Sequence, residues 1–187
     1  MNTRVKGFIY LLLSAVYFGF MPLLVKVICA DGSTIVGALF LRFALAIIPL
    51  YIYLKVRKVP MELSVEKGKK ILCVTVFGYG ITALLLYSAY DYMPSGMATV
   101  IHFGYPVFVL LGSLIFLRRR VPKLKIVSVG LCMIGIFLSY AGSGGEAKPM
   151  GFVFALISGM TYAFYILYLE VGGLQDIPAM KMIFYMN

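Results

Sequence analysis

The chain contains few of the residues on which enzyme active sites depend. Its long apolar runs hold no aspartate or glutamate, and His102 is its one histidine. An intramembrane hydrolase requires paired aspartates, a metal-binding helix such as HExxH, or a nucleophile beside a base. The sequence has neither of the first two, and the one serine–histidine pairing that it suggests, Ser95 with His102, places the serine at a loop edge. We therefore predict that the chain is not an enzyme and uses no cofactor.

Signals for cross-linking and for cleavage are similarly sparse. Of the three cysteines, Cys29, Cys73 and Cys132, two lie within apolar runs and the third has no partner nearby. Neither a disulfide framework nor a metal site is expected from them. The first apolar run is too long for a cleavable signal peptide, and no small-x-small site follows it before the next run.

What the sequence has instead is long, continuous hydrophobicity. Hydrophobic residues make up 62% of the chain, and its mean hydropathy is +0.98. Each apolar run approaches the ~20 residues that a helix needs to cross a bilayer, and none alternates as the strands of a barrel would. We predict an all-α membrane protein, a polytopic helix bundle with spans near residues 7–25, 35–54, 71–90, 97–117, 124–140 and 150–169.

The positive charge follows the pattern of a membrane protein. The formal net charge of +10 could by itself indicate nucleic-acid binding. However, thirteen basic residues lie on one side of the predicted membrane, whereas the other side has Lys148 alone. This positive-inside bias predicts a multi-pass cell-membrane protein with a cytoplasmic N-terminus, in contact with the lipid bilayer and not with nucleic acid. Binding of the basic loops to phosphate or anionic lipid stays an alternative. The thirteen residues are Arg4, Lys6, Lys55, Arg57, Lys58, Lys67, Lys69, Lys70, Arg118, Arg119, Arg120, Lys123 and Lys125.

Residues 7–26 and 151–170 resemble each other without a gap. Four other apolar runs lie between them, so the repeat unit has five spans and the second copy enters the membrane from the opposite side. Inverted repeats are the ground plan of many secondary transporters, whose substrate sites lie where the halves meet. We predict a first five-helix repeat over 1–141, an outer linker over 142–149 and the start of a second repeat over 150–187. The matched residues are Gly7 with Gly151, Phe8 with Phe152, Leu12 with Leu156, Ser14 with Ser158, Phe20 with Phe164, and Leu23 with Leu167.

The last residues suggest that the second repeat is incomplete. The apolar sequence after Lys181 is too short to cross a membrane. We expect Asn187 to interrupt a seventh helix of a protein with ten helices and about 290 residues, by doubling of the repeat.

Small residues recur every four positions in the two related spans. They are Ala15 and Gly19 in the first span, and Gly151, Ala155, Gly159 and Ala163 in the sixth. Such stripes let helix backbones approach closely in lipid. We expect the two spans to pack together at the pseudo-twofold axis. The alternative is that the stripes reflect only the general abundance of glycine and alanine in membrane helices. Assembly as a homodimer stays open.

Two basic residues lie within predicted spans. Arg42 is eight residues into the second span, where insertion of an arginine costs about 2.5–3.5 kcal/mol. Its partner must be a backbone carbonyl in a bracing role, an acid outside this sequence, or a substrate anion. Lys26 lies near the outer end of the first span, where its stem can reach water. It is either a snorkelling lysine or a positive charge at the outer mouth.

A kink is predicted beside the histidine. Pro106 lacks an N–H, so the carbonyl of His102 loses its helical partner. Transporter sites are built at such interruptions, and the imidazole could carry a coupling proton. Pro22 predicts a similar kink in the first span. A histidine that merely hydrogen-bonds a neighbour, and proline kinks with only a structural role, are the alternatives.

Hydroxyl-bearing residues share one face of the third span. Together with one alanine, they recur at spacings of three and four residues, which place them on the same side of a helix: Thr75, Tyr79, Thr82, Ala83 and Tyr87. With Tyr17, Tyr105 and Tyr162 they could line an aromatic cavity suited to amphipathic organic solutes rather than bare ions. Core packing with each hydroxyl bonded to a carbonyl is the alternative. Tyr90, Tyr92 and Tyr140 are expected in the interfacial belt instead.

The first two spans, GFIYLLLSAVYFGFMPLLVK followed by LFLRFALA, resemble the EamA family of the drug/metabolite transporter superfamily. The segment ALLLYSAYDYMPSGMATVIHFGYPVFVLLGSLIFL resembles that family's third and fourth helices. The resemblance implies ten helices in two inverted repeats, a central cavity, and export or exchange of small metabolites. It places the family's lysine, arginine and proline on Lys26, Arg42 and Pro106.

The chain also departs from this family. Arg118, Arg119 and Arg120 stand where the family commonly has Gly-Glu-Arg, which removes the glutamate of an expected ion pair. Tyr17 and Tyr162 lie where tryptophan is common. The resulting hypothesis is an alternating-access permease for small organic metabolites, amino-acid-like or related, with its pocket between the first, third, fourth and sixth spans. The alternative is a non-transporting membrane receptor or interaction module.

Overall fold

The computed structural model describes residues 3–30, 32–119, 121–142 and 148–187, with side chains from Val5 onward in the first of these ranges. Arg120 and the greater part of the predicted linker, 143–147, lie outside the described residues, as does the side chain of Arg4. The described residues form helices and their connections, without a strand. The helices are α1 (Thr3–Ala30), α2 (Ile35–Val56), α3 (Val65–Cys73), a π-helical segment (Val74–Gly80), α4 (Ile81–Ala89), α5 (Ser95–His102), α6 (Tyr105–Ile115), α7 (Lys123–Ala141), α8 (Pro149–Val171) and α9 (Ala179–Met186).

Six stretches of the described chain are long and apolar enough to cross a membrane. The third stretch joins α3, the π-helical segment and α4, and the fourth joins α5 and α6. The prediction of a polytopic helical membrane protein is confirmed. The chain is therefore a multi-pass membrane protein.

Local sequence signals fix where several helices begin. The hydroxyl of Thr34 accepts a hydrogen bond from the backbone N–H of Gly37 at 3.1 Å, which caps the first turn of α2. Ser64 caps α3 in the same way through the N–H of Lys67. Proline precedes or opens α5, α7, α8 and α9, because its fixed φ and missing N–H suit a helix start.

The third span contains a π-helical turn at Gly78. A Cβ atom at Gly78 would lie 2.9 Å from Cβ of Tyr165 and 3.2 Å from its Cα. The absence of a side chain therefore lets α8 approach the backbone of this segment. π-Helical turns frequently occur at functional sites.

The fourth span is interrupted between α5 and α6. Helix α5 ends at His102 and α6 begins at Tyr105, with Pro106 in its first turn. Gly159 of α8 faces this interruption, and a Cβ atom there would lie 3.1 Å from the carbonyl oxygen of His102. Pro22 lies inside α1, which continues through it as one helix.

Helix α8 lies at the centre of the bundle. It packs against the π-helical segment, α4, α5 and α6. Its small residues Gly151, Ala155, Gly159 and Ala163 are all buried. The expectation that this stripe meets the stripe of α1 is wrong, because α1 packs against α2 and α5 instead, while Ala15 and Gly19 are exposed. The close approach enabled by small residues is thus between the sixth span and the third and fourth.

The basic end of the bundle, which carries residues 57–70, 118–119 and 121–125, is connected by polar contacts. Lys67 pairs with Asp176, and Arg119 pairs with Glu170. The hydrogen bond from Lys67 holds the pKa of the Asp176 carboxyl below its usual value. Lys181 of α9 donates to the carbonyl of Glu62 at 2.6 Å. These contacts join the first five spans to the end of α8 and to the residues that follow it.

Candidate functional site

A small polar cavity lies where α1, α2, the third span, the fourth span and α8 meet. Its volume is about 50 Å³. Helix α1 contributes apolar side chains to its wall, among them Phe18 and Met21, and its Pro22. Six of the predicted substrate-site residues line it: Arg42, Tyr79, Thr82, Tyr87, His102 and Tyr162.

Arg42 reaches this cavity from α2. One terminal nitrogen of its guanidinium donates to the hydroxyl of Tyr87 at 2.9 Å, and the other donates to the hydroxyl of Tyr79 at 3.3 Å. The guanidinium carbon also lies 6.0 Å from the centre of the Tyr87 ring. No carboxylate forms a salt bridge with Arg42 in the described part of the chain. The cation is thus held by neutral phenols.

His102 contributes a buried imidazole at the interruption of the fourth span. Its Nδ1 lies 2.9 Å from the hydroxyl oxygen of Ser158, and that hydroxyl donates to the carbonyl of Ala155 at 2.6 Å. Because the serine proton is already used, Nδ1 must carry the hydrogen that the serine oxygen accepts. The tautomer assigned from this network leaves Nε2 of a neutral ring as a hydrogen-bond acceptor.

Threonine hydroxyls connect the third span to α8 beside the cavity. Oγ1 of Thr82 lies 2.6 Å from Oγ1 of Thr161, and Thr82 also donates to the carbonyl of Gly78. Sequence reasoning did not single out Thr161 or give Ser158 a role. Their spacing of three residues on α8, in the copy of a repeated segment, was the available signal.

Aromatic rings form the wall on the α8 side. Tyr162 contacts His102 with ring centres 5.3 Å apart and stacks on Tyr165 at 5.4 Å. Tyr105 packs edge-on against Tyr162 at 4.8 Å and does not itself line the cavity. Tyr90, expected in the interfacial belt, directly follows α4 and instead lines the cavity and stacks on Tyr87, with ring centres 5.6 Å apart.

Two predicted residues lie away from this cavity. The side chain of Tyr17 is 74% exposed, and Lys26 is exposed near the end of α1. In the described residues neither of them lines the polar cavity. Their roles in substrate binding and at the outer mouth stay predictions.

A larger cavity of about 520 Å³ lies between α6 and α8, around Gly112, Phe164 and Leu167. Its wall is almost wholly apolar, so it offers few groups that could orient a polar solute. The small cavity, which has a cation, phenols and an imidazole, is therefore the better candidate for a substrate site.

The EamA-like transporter family model matches residues 5–141, which is most of the chain and includes all but one of the helices that form the polar cavity. The chain belongs to the EamA-like transporter family. The family match ends before α8, so Ser158 and Tyr162 are assigned to the site from their contacts with His102.

Two relatives of this EamA-like chain are described as uncharacterized transporters. A protein from Clostridium kluyveri is 23% identical over 171 residues, which cover 86% of this chain and 54% of that protein. A protein from Archaeoglobus fulgidus is 33% identical over 85 residues, 43% of this chain and 31% of that protein. The chain thus spans about half or less of the length of these relatives. No solved structure matches the chain.

The departure of this EamA-like chain from its family at Arg118–Arg120 has a structural counterpart. Arg119, which follows α6, pairs with Glu170 near the end of α8. Both side chains are partly exposed, at 49% and 41%. The ion pair at this end therefore uses an acid from the sixth span rather than one from the arginine run itself.

Proposed function

We propose that this EamA-like protein is a permease that exports or exchanges small organic metabolites, amino-acid-like or related, by alternating access. It would lie in the cell membrane with its N-terminus in the cytoplasm, as the placement of the basic residues predicts. The observation that carries the proposal is the polar cavity, which places Arg42, His102 and several tyrosines among five apolar spans. Charged and titratable residues inside a membrane usually mark a substrate pathway.

The composition of the cavity supports an organic solute over a bare metal ion. Cation sites in membranes use carboxylates or rings of carbonyls. The described cavity offers phenol hydroxyls, a guanidinium and apolar surface from residues such as Met21 and Leu86. This combination suits a solute that has both an apolar body and hydrogen-bonding groups.

Alternating access requires contacts that can separate at one end of the bundle. The Lys67–Asp176 and Arg119–Glu170 pairs connect the first five spans to the sixth and to the residues that follow it. Exposed ion pairs contribute only about 0–1 kcal/mol each, so they can break during a transport cycle without a large barrier. We infer that the cavity opens toward the basic end when these pairs separate.

The test is transport by the product of the complete reading frame that contains these residues. Purified protein is reconstituted into vesicles loaded with a panel of labelled metabolites: amino acids, monocarboxylates, amines, nucleobases and sugars. Efflux that exceeds that of vesicles with an unrelated membrane protein supports the permease. If no compound crosses faster than in those control vesicles, and the protein co-purifies with a fixed protein partner, the receptor or interaction module is the better interpretation.

A further inference from the structure

We propose that Arg42, Tyr79 and Tyr87 form a binding site for the carboxylate group of an organic monoanion. The inference deepens the proposed transport function by naming the class of substrate. Its basis is a cation inside the bundle whose described partners are all neutral. A guanidinium has five N–H donors, and two of them are used by phenol oxygens here.

The two tyrosine hydroxyls have a hydrogen to donate as well. Each hydroxyl oxygen accepts a hydrogen bond from Arg42, and a phenol keeps its own O–H bond to give to another acceptor. Tyr87 is 2% exposed, so water can hydrate that hydroxyl poorly. The cluster therefore presents a positive charge and several hydrogen-bond donors to one small volume, and none of the described carboxylates pairs with it.

The charge and shape of this cluster favour a carboxylate. A planar guanidinium matches the two oxygens of a carboxylate, and such charge-assisted bonds are roughly twice as strong as neutral ones. One cation balances one negative charge, whereas a phosphate dianion would bring a second charge into a low-dielectric site without a partner. The cavity of about 50 Å³ accommodates a small charged group. Met21 and Leu86 lie in the same wall and would contact the adjoining carbons.

The five acids in the described part of the chain do not compete for Arg42. Glu66, Glu170 and Asp176 pair with Lys70, Arg119 and Lys67 at the basic end, and Asp91 is exposed in the turn between α4 and α5. Glu62 is exposed in the loop before α3. A bracing role for Arg42 alone would use carbonyls or a carboxylate, and its described side-chain contacts are the two phenols and the face of Phe43.

The experiment compares carboxylates with their uncharged amides. The complete reading-frame product is purified, and both binding in detergent and transport in vesicles are measured for three matched pairs: butyrate and butyramide, benzoate and benzamide, 4-methylpentanoate and 4-methylpentanamide. We expect at least one carboxylate to bind about tenfold or more tightly than its amide, because charge-assisted bonds are lost in the amide. We expect Arg42→Gln to remove that preference and Arg42→Lys to keep part of it. We expect Tyr87→Phe to weaken binding of the carboxylate without changing binding of the amide.

Matched controls separate a binding role from a structural one. Arg57→Gln makes the same substitution at an exposed arginine just after α2, and Tyr53→Phe removes an exposed phenol from that helix. Neither is expected to change the ratio of carboxylate to amide affinity. Monodispersity and thermal unfolding of every variant show whether the bundle has folded, and the affinity ratio does not depend on the amount of folded protein.

The outcomes distinguish the site from the transport function. Carboxylate-selective binding that disappears in Arg42→Gln, without transport of any compound, would support the site and contradict the permease. Transport of amides, amines or sugars without a carboxylate preference would support the permease and overturn the site. Equal competition by chloride or inorganic phosphate would also overturn the carboxylate assignment. A wild-type preference that persists in Arg42→Gln would move the site elsewhere.

Discussion

The Nδ1 atom of His102 lies 2.9 Å from the hydroxyl oxygen of Ser158. Both side chains are buried, with 3% and 0% of their surface exposed. This bond joins the interruption of the fourth span to α8, so one serine hydroxyl contributes to the relative position of these two spans. It also fixes which imidazole nitrogen is free to accept a hydrogen bond in the cavity.

We expect Ser158→Ala to lower the free energy of unfolding by about 1–3 kcal/mol, because a buried imidazole N–H would lose its acceptor. A denaturant titration of the purified protein in detergent, followed by circular dichroism, measures the change. The control is Ser128→Ala, which removes an exposed hydroxyl that donates to the carbonyl of Leu124 at 3.0 Å on α7. Equal losses in the two variants would show that the His102 contact has no special contribution.

We expect Gly78→Ala to destabilise the bundle by about 1–3 kcal/mol, the usual cost of overpacking. The new methyl group would lie 2.9 Å from Cβ of Tyr165, and the neighbouring backbone leaves little room to relax. Gly130→Ala on α7 is the matched control, because nothing lies within 4 Å of the added atom. That substitution should be neutral or stabilising through helix propensity. If Gly78→Ala were also stabilising, the close approach of α8 to the π-helical segment would be wrong.

The Arg119–Glu170 pair should have a small coupling energy. Both side chains are partly exposed, so a double-mutant cycle with Arg119→Gln and Glu170→Gln is expected to give about 0.2–1 kcal/mol. The unfolding titration measures stability at low and high salt. Screening should reduce the coupling at high salt. A coupling of several kcal/mol that salt does not change would indicate a buried contact and would contradict the proposal that this pair separates easily.

Cysteine labelling tests the proposed orientation. In the complete reading-frame product without Cys29, Cys73 and Cys132, single cysteines are placed at Lys69 and Gly96, both exposed and near opposite ends of the spans. We expect a membrane-impermeant thiol reagent to label Gly96→Cys in intact cells and to label Lys69→Cys only after permeabilisation. The reverse pattern would place the basic end outside and overturn the cytoplasmic assignment of the N-terminus.

The features that depend on local chemistry could be predicted from the order of the residues. Long apolar runs predict membrane-spanning helices because a bilayer offers no hydrogen-bond partners to the backbone. Within a single segment, only a helix satisfies its own N–H and C=O groups. The placement of Pro106 predicted a free carbonyl at His102, and the helices indeed separate at that point. The spacing of hydroxyl-bearing residues predicted that they share one face of the third span, and Tyr79, Thr82 and Tyr87 do line one cavity.

Which spans meet, and which side chains face inward, depends on contacts between distant parts of the chain. The expected contact between the stripes of α1 and α8 was wrong, Tyr90 lies inward, and Ser158 and Thr161 hold positions that their sequence context did not single out. The physical reason is that lipid tails are as apolar as a helix interface, so hydrophobic periodicity does not fix the rotation of a membrane helix. Rotation is set by close packing at glycine and by a few interhelical hydrogen bonds, and both depend on residues far apart in the chain.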